Sequence, residues 1–132
     1  MSSLTENELE VMNILWRHGE LKPAEMQDHY PRPIQNAALR FQLKVLLEKK
    51  HITRRKVGKA YYYRAATLRD GVLRKMIRRL SEVFSQGSTM GLIAELIQQE
   101  KLSPEEIRKL QKLAQTQTPS PEATSKRKGR KP

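Results

Sequence analysis

The stretch from Tyr30 to Arg64 constrains this chain more than any other. Pro31 and Pro33 close one helical pattern and open a second. That second pattern sets Leu39, Leu43, Leu46 and Leu47 on one stripe and Arg40 and Lys44 on the other side. A basic segment follows, Ile52-Thr53-Arg54-Arg55-Lys56-Val57-Gly58-Lys59-Ala60-Tyr61-Tyr62-Tyr63-Arg64, whose β-branched and aromatic bias around Gly58 predicts a hairpin. Between Arg32 and Arg64 ten Lys/Arg stand against one acid, Glu48, so this quarter of the chain carries +9 of the formal net charge of +12. Charge concentrated on one helix and one hairpin points to a polyanionic partner, nucleic acid before membrane.

The preceding residues supply a scaffold. Thr5-Glu6-Asn7-Glu8 is a capping box, and Leu9, Met12, Leu15 and Trp16 recur at helical spacing up to a stop at Gly19, which predicts a helix from about Thr5 to His18. A shorter helix is expected from about Pro23 to His29. The third, from about Ile34 to Lys50, leaves Asn36, Ala37, Arg40, Phe41 and Lys44 facing outward. Strands over Ile52–Lys56 and Ala60–Arg64 are joined by Val57-Gly58-Lys59. Three helices and a hairpin make the fold expectation for residues 1–66 a winged helix-turn-helix, in a mainly α chain.

Three more amphipathic patterns occupy residues 67–115. The first runs from Leu68 to about Phe84, the second carries Met90 to Ile97, and the third starts at Ser103-Pro104-Glu105-Glu106 with an N-cap serine and a first-turn proline. Such thin helices bury little by themselves, so this segment is expected to pair with a second copy. Leu73, Ile77, Leu80, Phe84, Leu92, Ile93, Leu96, Ile97, Ile107 and Leu110 are its candidate dimerisation residues. The Pro, Ser and Thr-rich tail, residues 116–132, ends in a Lys/Arg run and is expected to be disordered, as a phosphate-binding arm or a solubilising end.

Other chemistries are poorly provided for. The absence of cysteine removes disulfides, thiolate metal sites and cysteine nucleophiles together. His18, His29 and His51 are dispersed along the chain without ligand spacing, so no metal is expected. No glycine-rich phosphate loop or nucleophile elbow surrounds any Ser or Thr. The expectation is a non-enzymatic protein with no cofactor. Met1 opens no signal-peptide pattern and no apolar run approaches a membrane span, so a soluble, cytoplasmic protein without membrane insertion is expected.

In a helix-turn-helix the second helix enters the major groove. Arg40 there is suited to guanine O6 and N7, Asn36 to adenine, Ala37 to a thymine methyl and Lys44 to phosphate. Arg54, Arg55, Lys56 and Lys59 on the wing suit phosphates or the minor groove. Arg32, Phe41 and Tyr62 complete the candidate DNA-binding set. Tyr61 and Tyr63 share a strand face opposite Tyr62, and packing of Tyr61 and Tyr63 on the core is the simpler reading than stacking on single-stranded bases. Trp16 is read as core.

Leu4-Thr5-Glu6-Asn7-Glu8-Leu9-Glu10-Val11-Met12-Asn13-Ile14-Leu15-Trp16, the segment Leu39 to Lys50, Gly58-Lys59-Ala60-Tyr61-Tyr62-Tyr63 and Glu100-Lys101-Leu102-Ser103-Pro104-Glu105-Glu106-Ile107 resemble the BlaI/MecI penicillinase-repressor family over about Leu4 to Leu113. The resemblance implies a homodimeric repressor that binds an operator half-site through each winged helix and interlocks through its C-terminal helices. It also implies control of a resistance operon, with a membrane sensor-protease as partner. Glu95-Leu96 stands where well-known members carry a scissile Asn-Phe pair. The cysteine pairs of a copper-responsive branch are missing, and Ala37, Ala38 and Phe41 stand where relatives often carry Thr. Two rival readings stay open: a winged-helix module whose basic face meets an acidic protein, and a DNA-coating protein of low specificity.

Overall fold

A computed structural model of the protein describes residues 3–116. The elements run α1 (Glu6–His18), α2 (Pro23–Asp28), α3 (Asn36–Glu48), β1 (Ile52–Val57), β2 (Ala60–Ala65), α4 (Arg69–Phe84), α5 (Thr89–Glu100) and α6 (Pro104–Thr116). They fall into two compact units that divide between Arg69 and Asp70.

The first unit is built from local signals that agree with its packing. Glu8 N–H donates to Thr5 Oγ1 and Thr5 N–H donates back to Glu8 Oε1, so the capping box forms reciprocally and fixes where α1 begins. At α2, Pro23 takes the first turn and Lys22 N–H donates to Glu25 Oε1 at 2.9 Å. Val11, Met12, Ile14 and Leu15 of α1, Met26 of α2, and Leu39, Leu43 and Leu46 of α3 meet in one buried cluster, closed by Ile52 and Tyr63. Each buried aliphatic side chain of this kind contributes about 1.5–3 kcal/mol relative to exposure. The sheet is the antiparallel pair β1-β2, with Val57 opposite Ala60 across the two-residue turn Gly58-Lys59 and Ile52 opposite Ala65. Gly58 sits at φ +63, the left-handed region that such a turn demands and that glycine adopts without penalty. Leu21 adds one bridge on the other side of β2, exchanging both backbone hydrogen bonds with Tyr63 at 3.0 and 2.8 Å.

Helix α3 is shorter than its hydrophobic period suggests. It starts at Asn36, because Pro33 and the extended cap residue Gln35 hold Ile34 outside the helix, where its carbonyl accepts from Gln27 Nε2 at 3.0 Å. It stops at Glu48, and Lys50 turns into the left-handed region at φ +67. The N–H groups of Lys50 and His51 close this end on the carbonyls of Leu47 and Leu46, both at 3.0 Å, the Schellman arrangement. Trp16, read from the sequence as core, is half-buried and does more than fill space. Its Nε1–H donates to the Thr67 carbonyl at 2.8 Å, tying α1 to the segment that follows the wing. His51 is buried, with Nδ1 2.8 Å from Thr67 Oγ1.

In the second unit, α5 takes Ser88 as its N-cap, with Gly91 N–H donating to Ser88 Oγ at 2.8 Å. Before α6, Ser103 and Glu106 form a second reciprocal capping box at 2.9 and 3.1 Å. Among the described residues of this unit, Leu92 is the one large apolar side chain that is buried, at 7% exposure. That separates it from the other dimerisation candidates, because its side chain is already covered by its own chain. Leu73, Leu80, Phe84, Ile93, Leu96 and Leu110 are exposed, and Ile77, Ile97 and Ile107 are half-buried. Helix α6 extends to Thr116, one residue into the segment expected as a disordered tail, and residues 117–132 lie outside the described residues.

Candidate nucleic-acid interface

Helix α3 separates two kinds of residue. Leu39, Leu43 and Leu46 are buried, while Asn36, Ala37, Arg40, Phe41 and Lys44 are all exposed on the rest of its surface. Phe41 is 62% exposed, an aromatic ring that nothing in its own unit covers well. Asn36 and Arg40 lie one helical turn apart and are coupled, since Arg40 Nε donates to Asn36 Oδ1. They therefore form one polar feature with a shared orientation rather than two independent groups.

On the wing, the register decides which cation meets which ring. Arg54 is opposite Tyr63 and Lys56 opposite Tyr61, so these four share a face. Arg54 packs its guanidinium 4.1 Å from the Tyr61 ring centroid and donates to Tyr63 Oη at 3.3 Å. Lys56 Nζ lies 5.8 Å from the same Tyr61 ring. Tyr63 is 5% exposed and belongs to the core, whereas Tyr61 stays exposed beneath the two cations. Core packing thus holds for Tyr63 and not for Tyr61, because the hairpin extends beyond the core at its tip. Tyr62, half-buried on the opposite face, pairs across the strands with Arg55. Lys59 is exposed in the turn.

Arg55 and Arg32 are engaged within their own unit. Arg55 donates from Nε and Nη2 to Glu20 at 2.7 and 2.9 Å, and Arg32 donates from Nη1 and Nη2 to Glu10 at 2.7 and 2.8 Å. These hydrogen bonds hold the Glu20 and Glu10 carboxyls below the ordinary glutamate range. Arg32 also lies 5.7 Å from the Tyr30 ring centroid. Sequence reasoning missed Glu10, Glu20 and the platform role of Tyr61. The two acids carry no local signal, being 22 and 35 residues from their partners. Tyr61 was accessible from the hairpin register once a two-residue turn is assumed.

His18 and His29, far apart in the chain, stack with ring centroids 3.7 Å apart and planes 14° from parallel. Burial, the neighbouring His29 and Arg17 all push the His18 imidazole down. Among the described residues no group of three or more His, Asp or Glu side chains is placed to hold a metal ion. No helix among them is long and apolar enough to cross a membrane.

The chain has structural similarity to YusO from Bacillus subtilis, with 22% identity, 86% of this chain and 76% of that one covered, and a TM-score of 0.52. That likeness concerns the fold. Two further crystal structures align at a TM-score of 0.45. One is a possible transcriptional regulator for arsenical resistance, 26% identical over 58% of this chain and 77% of that one. The other is the adhesin competence repressor of Streptococcus pyogenes, 17% identical over 85% and 78%. No curated protein matches the sequence significantly. The penicillinase repressor family model matches residues 4–116, spanning the helix-turn-helix, the wing and all three C-terminal helices. With that match over most of its length, the chain belongs to the penicillinase repressor family, and it is a DNA-binding transcriptional repressor.

Proposed function

We propose that the protein is a homodimer whose two winged helices occupy the half-sites of an operator and block the promoter they overlap. The observation that carries this reading is the division of α3: a stripe of buried leucines, and opposite it the exposed set Asn36, Ala37, Arg40, Phe41 and Lys44. In this reading α3 enters the major groove. The coupled Asn36 and Arg40 read adjacent base edges, Ala37 and Phe41 supply apolar contact to thymine methyls, and Lys44 meets phosphate. Arg54, Arg55, Lys56 and Lys59, with Tyr62 beside Arg55, hold the wing on the backbone. Tyr61 fixes the direction of Arg54 before DNA arrives.

Residues 67–115 form the dimerisation segment in this proposal. The exposed Leu73, Leu80, Phe84, Ile93, Leu96 and Leu110 are the side chains a second copy would cover, and linking two weak half-site contacts raises both through effective concentration. The gene under control is a resistance or sensor-protease operon, as the family suggests. Glu95-Leu96 offers a carboxylate and a leucine in place of an amide and an aromatic ring, so relief of repression uses a signal other than cleavage at an Asn-Phe pair by a membrane sensor-protease.

The test is binding to the chain's own upstream promoter DNA against a scrambled duplex of equal length near physiological salt. A preference of about a thousandfold or more supports operator recognition. Equal affinity with equal salt slope removes it and leaves a protein that reads phosphates alone.

A further inference from the structure

Two of the cations in the proposed DNA-binding set are already occupied. Glu20, in the connection between α1 and α2, takes the Nε/Nη2 edge of Arg55, and Glu10 of α1 takes the Nη1/Nη2 edge of Arg32. Both are two-point contacts with oxygens 2.7 to 2.9 Å from nitrogen, which is also the way a guanidinium grips a phosphate. The edge given to the carboxylate is closed to a phosphate until the pair opens. By contrast, Lys44, Lys56 and Lys59 form no ion pair among the described residues. Neither arginine pair is a buried structural bridge. Arg55 is 66% exposed and Arg32 55%, so water and salt screen both, and exchange for another anion is easy. A geometry this well matched, yet so exposed, serves poorly as a stability device and well as a competitor.

Building on the repressor reading above, we propose that Glu20 and Glu10 are internal counterions of Arg55 and Arg32, displaced when backbone phosphates take the two guanidiniums. They are then determinants of DNA affinity and of its salt dependence. A carboxylate partner lowers what these arginines gain from a casual encounter with a polyanion. It yields where a phosphate is presented in register by a docked α3. The acids thereby subtract from phosphate affinity without touching a base.

The decisive comparison is wild type, Glu20→Gln, Arg55→Gln and the double variant, with Glu6→Gln as an equal change of charge on an exposed first-turn residue of α1. Binding of the full chain to a labelled duplex of its upstream promoter DNA is followed by anisotropy between about 50 and 200 mM salt, where one further cation released steepens the loss of affinity about 3.5-fold; in the wild type the displaced Glu20 carboxylate beside the phosphates retains that cation. Glu20→Gln is expected to bind more tightly than wild type and to show that extra salt dependence, and the gain is expected to vanish in the Arg55→Gln background. Glu10→Gln with Arg32→Gln is expected to repeat the pattern. The proposal is overturned by a gain no larger than that of Glu6→Gln, or by one that survives in the Arg55→Gln background, since either reports overall charge alone. A loss of affinity also overturns it, because Glu20 would then be holding Arg55 in its DNA-bound pose. Wild-type protein that binds no duplex overturns the repressor reading together with this one, whereas retained wild-type binding with an unchanged slope in Glu20→Gln removes this one alone.

Discussion

Lys50→Gly is expected to stabilise the protein, even though it deletes a side chain and removes a charge. Lys50 sits at φ +67, directly after the end of α3, and occupies the position that a Schellman motif ordinarily gives to glycine. An L-residue there brings Cβ against the following carbonyl at about 1–2 kcal/mol, and glycine is relieved of that contact. Against the relief stands the larger conformational entropy glycine surrenders on folding, about 0.5–1 kcal/mol. The Lys50 side chain is exposed and enters no ion pair among the described residues, so little packing is lost with it. The difference is a gain of about 0.5–1 kcal/mol, or roughly 3 to 6 °C in Tm for a unit of this size. Thermal and urea unfolding at one fixed protein concentration would measure it, because the proposed dimerisation would make Tm depend on concentration. Lys50→Ala is the control, since it removes the same amine and stem but keeps Cβ, and it should leave stability nearly unchanged. A Lys50→Gly protein no more stable than Lys50→Ala would refute the reasoning, and the end of α3 would then owe nothing to backbone strain.

Arg40→Ala should cost about 1–3 kcal/mol of binding to the promoter duplex and relax base preference at one position, whereas Lys59→Ala should weaken all duplexes alike and lower the salt slope by about one, both read from competition binding. Burial alone would raise the Glu8 carboxyl, but Lys49 Nζ at 2.9 and 3.0 Å and the Thr5 N–H outweigh it and hold Glu8 below the ordinary value. Its contribution is therefore present above about pH 4.3 and lost as pH falls through the lower folded value. Lys49→Met should shrink that pH dependence, because both Lys49 interactions that lower Glu8 are lost while its burial remains, as chemical denaturation across pH 3 to 7 would show. Phe84→Asp places a charge in the proposed apolar contact between two copies, and sedimentation should find a monomer with weakened promoter binding; a dimer of unchanged stability would move the interface elsewhere.

The element order was legible from residues 3–116 because the signals are local. A capping box at Thr5, prolines at 31 and 33 and the leucine stripe of α3 each constrain their own neighbourhood, and each agrees with the packing, whereas the connection at Gly58 was read one residue too long, since Val57 pairs with Ala60 and belongs to β1. The outward face of α3 followed from the same periodicity. Helix ends were harder, because Lys50 and Lys101 adopt left-handed backbone where sequence reasoning looks for glycine. Burial of Leu92 and exposure of Leu96, neighbours on one helix, depend on which side α5 turns to its own unit, and hydrophobicity is the same for both. Tertiary structure alone decided the partners of the charges. Nothing within a few residues of Arg55 or Arg32 announces Glu20 or Glu10, since an ion pair needs only proximity in space and leaves no period in the chain. The same holds for Trp16 on the Thr67 carbonyl and for the stacked His18 and His29. Backbone propensity and hydrophobic spacing act over one or two turns and can be read along the chain. Long-range polar contacts exist only once the core has set the elements against one another.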